Sequence, residues 1–325
     1  VDDVILAMDR PIVGDGLKMA WISPEDLPAF LVQRVCRLRG VEGLALTNFL
    51  RYVLAAPDFS AHIHRITTGA NIPHISGRDI AAYEFDLPSF DDQSRVVACM
   101  TAYDDLIATN QRRIALLEDA ARRLYREWFV HLRFPGHATL PVKDGVPEGW
   151  MRRPLNQIAP LNYGKSLKAS DRVDGKVPVY GSSGVVGLHS VSLVDSGAII
   201  VGRKGNVGSL YFSPVPCFPI DTVYYISPEN ASYWLFLALH KLNFISSDAA
   251  VPGLNRSYAH SLPLLQPGEG VAAEFENLVQ PLFEQSQQLA EQNQQLARAR
   301  EMLLPKLMSG QLDVSGIRLP EEVAR

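Results

Sequence analysis

The residues best equipped for chemistry lie on a glycine-rich stretch, Gly202-Arg203-Lys204-Gly205-Asn206-Val207-Gly208. Arginine, lysine and asparagine on a loop able to approach a backbone closely offer the donors and acceptors that base edges and phosphates require. The other use of such a loop, cradling a nucleotide, does not fit. Gly202-x-x-Gly205-x-x-Gly208 is neither the dinucleotide fingerprint nor a Walker A loop, and Gly164-Lys165-Ser166 has Ala159, followed by Pro160, where the leading glycine would stand. Asp221 lacks the Glu-x-Lys of a nuclease, no Asn-Pro-Pro-Tyr-like tetrad for amino methylation occurs, and the eight histidines are scattered. The remaining candidates are binding groups. Between residues 151 and 176 six basic residues face two acidic ones, and Lys165, Lys168, Arg172 and Lys176 suit phosphates, which take charge without carrying sequence information. Tyr180, Ser182 and Ser183 follow a short strand and could reach a groove, with Tyr180 equally suited to a core. Two loops share Gly-x-Asn, one carrying Asn71 and His74, the other Asn255 and Arg256. The plain alternative for all of these is a solvated turn or an ordinary charged surface.

Two long apolar stripes must position these groups. Val96, Met100, Tyr103, Ile107, Asn110, Ile114, Leu117, Ala121, Leu124 and Trp128 follow one another in alternating steps of four and three, the heptad spacing of a coiled coil. Val271, Phe275, Leu278, Leu282, Gln285, Leu289, Gln292, Leu296, Ala299 and Leu303 repeat the pattern near the other end. Each helix would run roughly 50 Å. The two are expected to pair, with Asn110 and Gln285 as polar seam residues that fix register. Arg122, Arg123, Arg126 and Arg133 cluster at the first helix's end and suit a solvated face, or contact with a partner or with DNA backbone.

At 325 residues, 47% hydrophobic and 20% charged, the chain has the composition of a soluble globular protein of two or three domains. No apolar run is long enough for a membrane span, and Val1-Asp2-Asp3 has no signal-peptide character, so cytoplasm is the expected location. Cys36, Cys99 and Cys217 suggest neither a disulfide framework nor a zinc site. A net charge of −4 gives no global sign of nucleic-acid binding, so any such surface must be local.

Taken in order, the chain has a strand at Val4 to Ala7, another over Phe30 to Leu38, and a helix over Leu44 to Ala55 with Leu46, Phe49, Leu50 and Val53 on one face. After the connector ending in Pro147-Glu148-Gly149-Trp150 come strands at Val177 to Tyr180, Ala198 to Val201, Ser209 to Phe212 and Val223 to Ile226, then a helix over Tyr233 to Leu242. Folded segment and seam helix thus occur twice in the same order. An offset of 175 aligns the two seams, whereas 179 aligns Pro88 with Pro267, and the pattern leaves both open. Val4-Ile5 opens copy one, but its counterpart Ile199-Ile200 lies midway through copy two. Copy one therefore reads as a module without its front half.

Several pieces carry a family resemblance: Leu87-Pro88 with Asp92-Gln93, Asp105-Leu106-Ile107, Arg126-Glu127-Trp128-Phe129, Pro147-Glu148-Gly149-Trp150, and the terminal Leu303-Leu304-Pro305-Lys306-Leu307-Met308-Ser309-Gly310. In this order they resemble the specificity subunit of type I restriction-modification systems. Val179 to Gly184 and Ile199 to Gly205 are similar to that family's target-recognition domains. The resemblance covers nearly the whole chain. It implies an α+β chain with two mixed α/β target-recognition domains, one complete and one partial, separated by two long antiparallel helices forming a coiled coil. The expected division is a partial first recognition domain over 1–90, the first spacer helix over 91–134, a connector over 135–149, the second recognition domain over 150–268, the second helix over 269–312 and a tail over 313–325. The implied function is non-enzymatic recognition of a bipartite site in double-stranded DNA. Methyltransferase subunits would dock on the helices, and a restriction and translocase subunit would join them. S-adenosylmethionine and ATP would be bound by those partners and no cofactor by this chain. The short first domain fits a fragment, a truncated gene product, or a form completed by a second copy. Gln266-Pro267-Gly268-Glu269-Gly270 lacks the family's Glu-Gln before its helix, and Asp92-Gln93 is nearer to it. The alternative from a different class is a coiled-coil adaptor that binds proteins and not DNA.

Overall fold

Both apolar stripes form single long helices, Phe90–Tyr125 and Glu269–Met308, and the first continues through one wider turn at Arg126–Val130. The computed structural model describes residues 1–14, 16–67, 73–245 and 253–317. It divides into two units, Val1–Arg113 with Gln288–Arg325 and Ile114–Gln287, so that the division falls inside both helices. Among the described residues no helix is long and apolar enough to cross a membrane.

The first seam is as expected: all ten residues are buried or half-buried, while Leu106 and Leu116 on the flanks are exposed. The second seam differs in phase. Leu278 is 48% exposed, and Gln285 and Gln292 are exposed as well, whereas Val279, Ser286 and Leu289 are buried and Asn293 half-buried. The seam that packs is Phe275, Val279, Leu282, Ser286, Leu289, Asn293, Leu296, Arg300, Leu303 and Leu307. A repeat averaging 3.5 residues leaves neighbouring positions competing for the same seam, and the larger Leu278 masks Val279 in a pattern read by hydrophobicity alone. The observed set is the first seam displaced by 179, which is also the separation of the helix starts Phe90 and Glu269. The offset of 175 is thereby excluded.

Within the first unit the helices run antiparallel. Val96 and Met100 share a buried cluster with Leu304 and Leu307, Asp104 accepts from Arg300 at 2.6 Å, and the Asn110 amide donates to Asn293 at 3.0 Å. The polar seam partner of Asn110 is therefore Asn293 and not Gln285. Asp104 also accepts from Arg51 at 2.6 Å and the Tyr52 hydroxyl at 2.9 Å, which ties the helix Thr47–Ala55 to the pair. Burial pushes the Tyr52 hydroxyl up to about 12, so it remains a donor. Gln93, fully buried, accepts from the Leu46 amide and donates to the carbonyls of Leu44 and Pro88. A three-stranded antiparallel sheet in the order Met19–Trp21, Val4–Ala7, Val35–Leu38 lies over Leu54, Phe59, Ile63, Ile75 and Ile80. The strand expected from Phe30 is shorter. Phe30 is 93% exposed, because it precedes the paired residues and no partner strand reaches it.

In the second unit the helix ends meet through rings, Trp128 lying 5.7 Å and Phe129 4.8 Å from Phe275. Their cluster takes in Trp150, Ile199, Val201, Tyr224 and Leu235. A four-stranded antiparallel sheet runs Leu210–Ser213, Ala198–Gly202, Val223–Ile226, Asn162–Tyr163. A second sheet joins the hairpin of Val177–Gly181 and Gly184–His189 to a parallel piece at Phe218–Pro219. Every residue of Ala198–Gly202 is buried, as a continuous apolar run demands of a central strand. The short helix Tyr233–Leu239 is held by Glu276, which accepts from the Tyr233 and Trp234 amides at 3.1 and 2.6 Å.

Candidate nucleic-acid interface

The glycine-rich loop begins where the central strand of the second unit ends. A Cβ on Gly202 would lie 2.1 Å from the Asn206 carbonyl oxygen, and Gly205 has φ +77°, so this tight turn needs glycine at both points. The Arg203 and Lys204 amides both donate to the Thr222 carbonyl, at 2.9 and 3.0 Å, which ties the start of the loop to the turn before Val223–Ile226. The Leu254 amide donates to the Arg203 carbonyl at 2.8 Å and Lys204 bridges Gly253, so the loop leading to Arg256 lies against the glycine loop. The Tyr224 hydroxyl fixes that junction by donating to the Leu254 carbonyl at 3.0 Å.

Tyr163 completes the corner. Its half-exposed ring has the Arg203 guanidinium carbon 5.0 Å and the Arg256 carbon 5.1 Å from its centroid, and Arg203 also lies 5.6 Å from the Tyr224 ring. The Arg203 guanidinium donates to the Asp221 carbonyl at 3.0 Å. Two guanidiniums held against one aromatic ring lose freedom while keeping donors for a ligand. From Tyr163 the chain leaves through Gly164 and Lys165, whose amides donate to the Val223 and Pro219 carbonyls, and the Lys165 side chain is exposed. The hairpin tip at Ser182 and Ser183 joins the same side, since the Ser209 hydroxyl donates to the Ser182 carbonyl at 2.6 Å. Arg203, Lys204, Asn206, Arg256, Lys165, Ser182 and Ser183 thus gather around one junction. Tyr163 is the residue that spacing alone did not select. A tyrosine ending a strand just before Gly164-Lys165 was the available signal.

Other candidates have different surroundings. Tyr180 is buried with Val194, Ile200 and Cys217, and burial raises its hydroxyl above its ordinary value, so it is a core residue. Asn255 caps the helix Arg256–Ser261, its side-chain oxygen accepting from the Tyr258 amide at 3.0 Å. Arg172 donates to the Val186 carbonyl at 2.7 Å and lies against Gly187, bracing the hairpin. Lys168 and Lys176 are exposed. In the first unit His74 is exposed and contacts Asp9 at 2.5 Å, while Asn71 lies outside the described residues. Among the described residues no three of His, Cys, Asp or Glu stand close enough to hold a metal ion.

Comparison with known proteins places this corner inside a characterised module. Residues 147–260 match the family model described as the type I restriction modification DNA specificity domain. The type I restriction enzyme MjaIX specificity subunit of Methanocaldococcus jannaschii is 21% identical over 302 residues, 83% of this chain and 70% of that protein. The EcoAI specificity subunit of Escherichia coli is 34% identical over 110 residues, 33% of this chain and 18% of that one. The fold is shared with the type I restriction-modification S subunit of M. genitalium, with a TM-score of 0.60 at 19% identity over 94% of this chain and 83% of the other. With the specificity domain matched around the arginine corner and the two-helix α+β fold held in common, the chain is similar over most of its length to the specificity subunits of type I restriction-modification systems.

Proposed function

We propose that the chain recognises a specific sequence in double-stranded DNA and directs methyltransferase and restriction subunits to it. The observation that carries this reading is the junction of Arg203 and Arg256 over the Tyr163 ring, with Lys204 next to Arg203 in the same loop, inside the matched domain. Arginine fits the O6 and N7 acceptors of guanine in the major groove, asparagine fits adenine, and lysines hold phosphates without choosing among sequences. In this reading residues 1–90 and 150–268 form two recognition domains for the halves of a bipartite site, and the paired helices are the docking surface for methyltransferase subunits. The chain itself catalyses nothing. S-adenosylmethionine and ATP belong to its partners, and the complex works in the cytoplasm, where its DNA is.

The test is binding of labelled duplex by the chain assembled with its methyltransferase subunits. The expected result is a complex that weakens steeply with salt, together with relaxed base preference and retained assembly for Arg203→Ala. A protein adaptor would give no salt-sensitive DNA complex, and unchanged methylation of the original site by Arg203→Ala would remove its base-reading role.

A further inference from the structure

The corner of the second unit has a structural counterpart in the first. Val4–Ala7 lies between Met19–Trp21 and Val35–Leu38 as Ala198–Gly202 lies between Leu210–Ser213 and Val223–Ile226. Just past each central strand, the Met8 amide donates to the Arg34 carbonyl as the Arg203 amide donates to the Thr222 carbonyl, both at 2.9 Å. The returning loop then closes identically. The Ile75 amide donates to the Met8 carbonyl at 2.9 Å and the Leu254 amide to the Arg203 carbonyl at 2.8 Å, while Asp9 bridges His74 as Lys204 bridges Gly253. Two residues beyond that bridge, Ser76 and Asn255 each cap a short helix. Backbone hydrogen bonding therefore matches Met8 with Arg203, Asp9 with Lys204, Arg34 with Thr222 and His74 with Gly253.

The side chains on this shared frame differ. In the first unit the guanidinium comes from Arg34, on the opposite side of the junction from Arg203, and it is held by a carboxylate in place of an aromatic ring. Arg34 Nη1 and His74 Nδ1 each lie 2.5 Å from a different oxygen of Asp9. The Arg34 side chain is nevertheless 76% exposed. A carboxylate that holds one nitrogen of a guanidinium limits where it can swing and leaves the other N–H donors free, as a two-pronged contact requires. The hydrogen bond from His74 holds the Asp9 carboxyl below its ordinary range, so it is charged at neutral pH.

We propose that Arg34 reads a guanine in the DNA half-site bound by the first unit, with Asp9 as the positioning residue that orients it. The proposal rests on the DNA-reading function above. It makes the two corners inequivalent readers, so that the two half-sites differ in sequence because guanidiniums enter from opposite sides of a common backbone frame.

The test is selection of bound duplexes from a library randomised in both half-sites, using the full chain with its methyltransferase subunits as wild type, Arg34→Ala, Asp9→Asn and Arg203→Ala. Arg34→Ala should flatten the preference for guanine at one base pair of one half-site by about 10- to 100-fold, leaving the other half-site unchanged. Asp9→Asn keeps the arginine but loosens its hold, and should weaken preference at that same base pair to a smaller degree. Arg203→Ala should act only on the other half-site. If Arg34→Ala and Asp9→Asn select the wild-type sites while Arg203→Ala does not, the first-unit reader is wrong and the DNA-reading function stands. If the wild type itself enriches no sequence, the function and this inference fail together.

Discussion

Tyr163 sets the geometry of the second unit's corner, because its ring is the common support of Arg203 and Arg256. Each cation–π contact at a partly exposed site contributes about 0.5–1 kcal/mol. Loss of both should weaken cognate binding of Tyr163→Ala by roughly five- to thirtyfold, and Tyr163→Phe, which keeps the ring, should restore it; anisotropy titrations of the three proteins measure this. Glu276 tests the same domain through pH. Burial raises its carboxyl above the usual value, against the two backbone amides that favour the anion. A carboxyl raised in the folded state binds its proton more tightly there than in the unfolded chain, so its contribution is present at low pH and falls as pH rises through the folded-state value. The stability advantage of wild type over Glu276→Gln should therefore shrink between pH 4 and pH 8 in parallel thermal melts.

At the scale of elements, the phase of the second seam is the point most open to attack by mutation. Val279 is buried with Ala121 and Tyr125, whereas Leu278 faces water. Placing a carboxylate at a buried apolar site costs about 3 kcal/mol or more, and the same change on a solvated flank costs within about 0.5 kcal/mol. Val279→Glu should unfold the helix junction while Leu278→Glu leaves it intact, as judged by urea denaturation. Equal effects would return the seam to the phase that hydrophobicity alone suggests. The Asn110–Asn293 pair serves a different purpose. Asn110 is 2% exposed, so Asn293→Ala strands a buried amide at a cost of about 1–3 kcal/mol. Replacing both by leucine should stabilise the pair while loosening its register, because the amides bond in one alignment only.

For the whole molecule, a net charge of −4 means that attraction to DNA depends on where cations lie. Each phosphate neutralised contributes about −0.9 to the slope of log affinity against log salt. Loss of Lys204 or Lys165 should lower that slope by about one each while leaving the order of preferred sequences unchanged. Loss of Arg203 should change the order.

The long helices, the repeat, the central strand at Ala198–Gly202 and the glycine loop are all legible in the sequence, because each depends on local periodicity or on conformations only glycine reaches. The family resemblance was carried the same way, by short segments in a fixed order. What needed tertiary structure is what local pattern leaves degenerate. Val279 and Leu278 satisfy the same hydrophobic spacing, and only packing against Ala121 and Tyr125 chooses between them. Tyr180 and Tyr163 are both tyrosines near strand ends, yet one fills a core and the other carries two arginines, because burial depends on which sheet covers each strand. Arg34 is far in sequence from Asp9 and His74, and a backbone junction closed by hydrogen bonds between distant segments brings the three together.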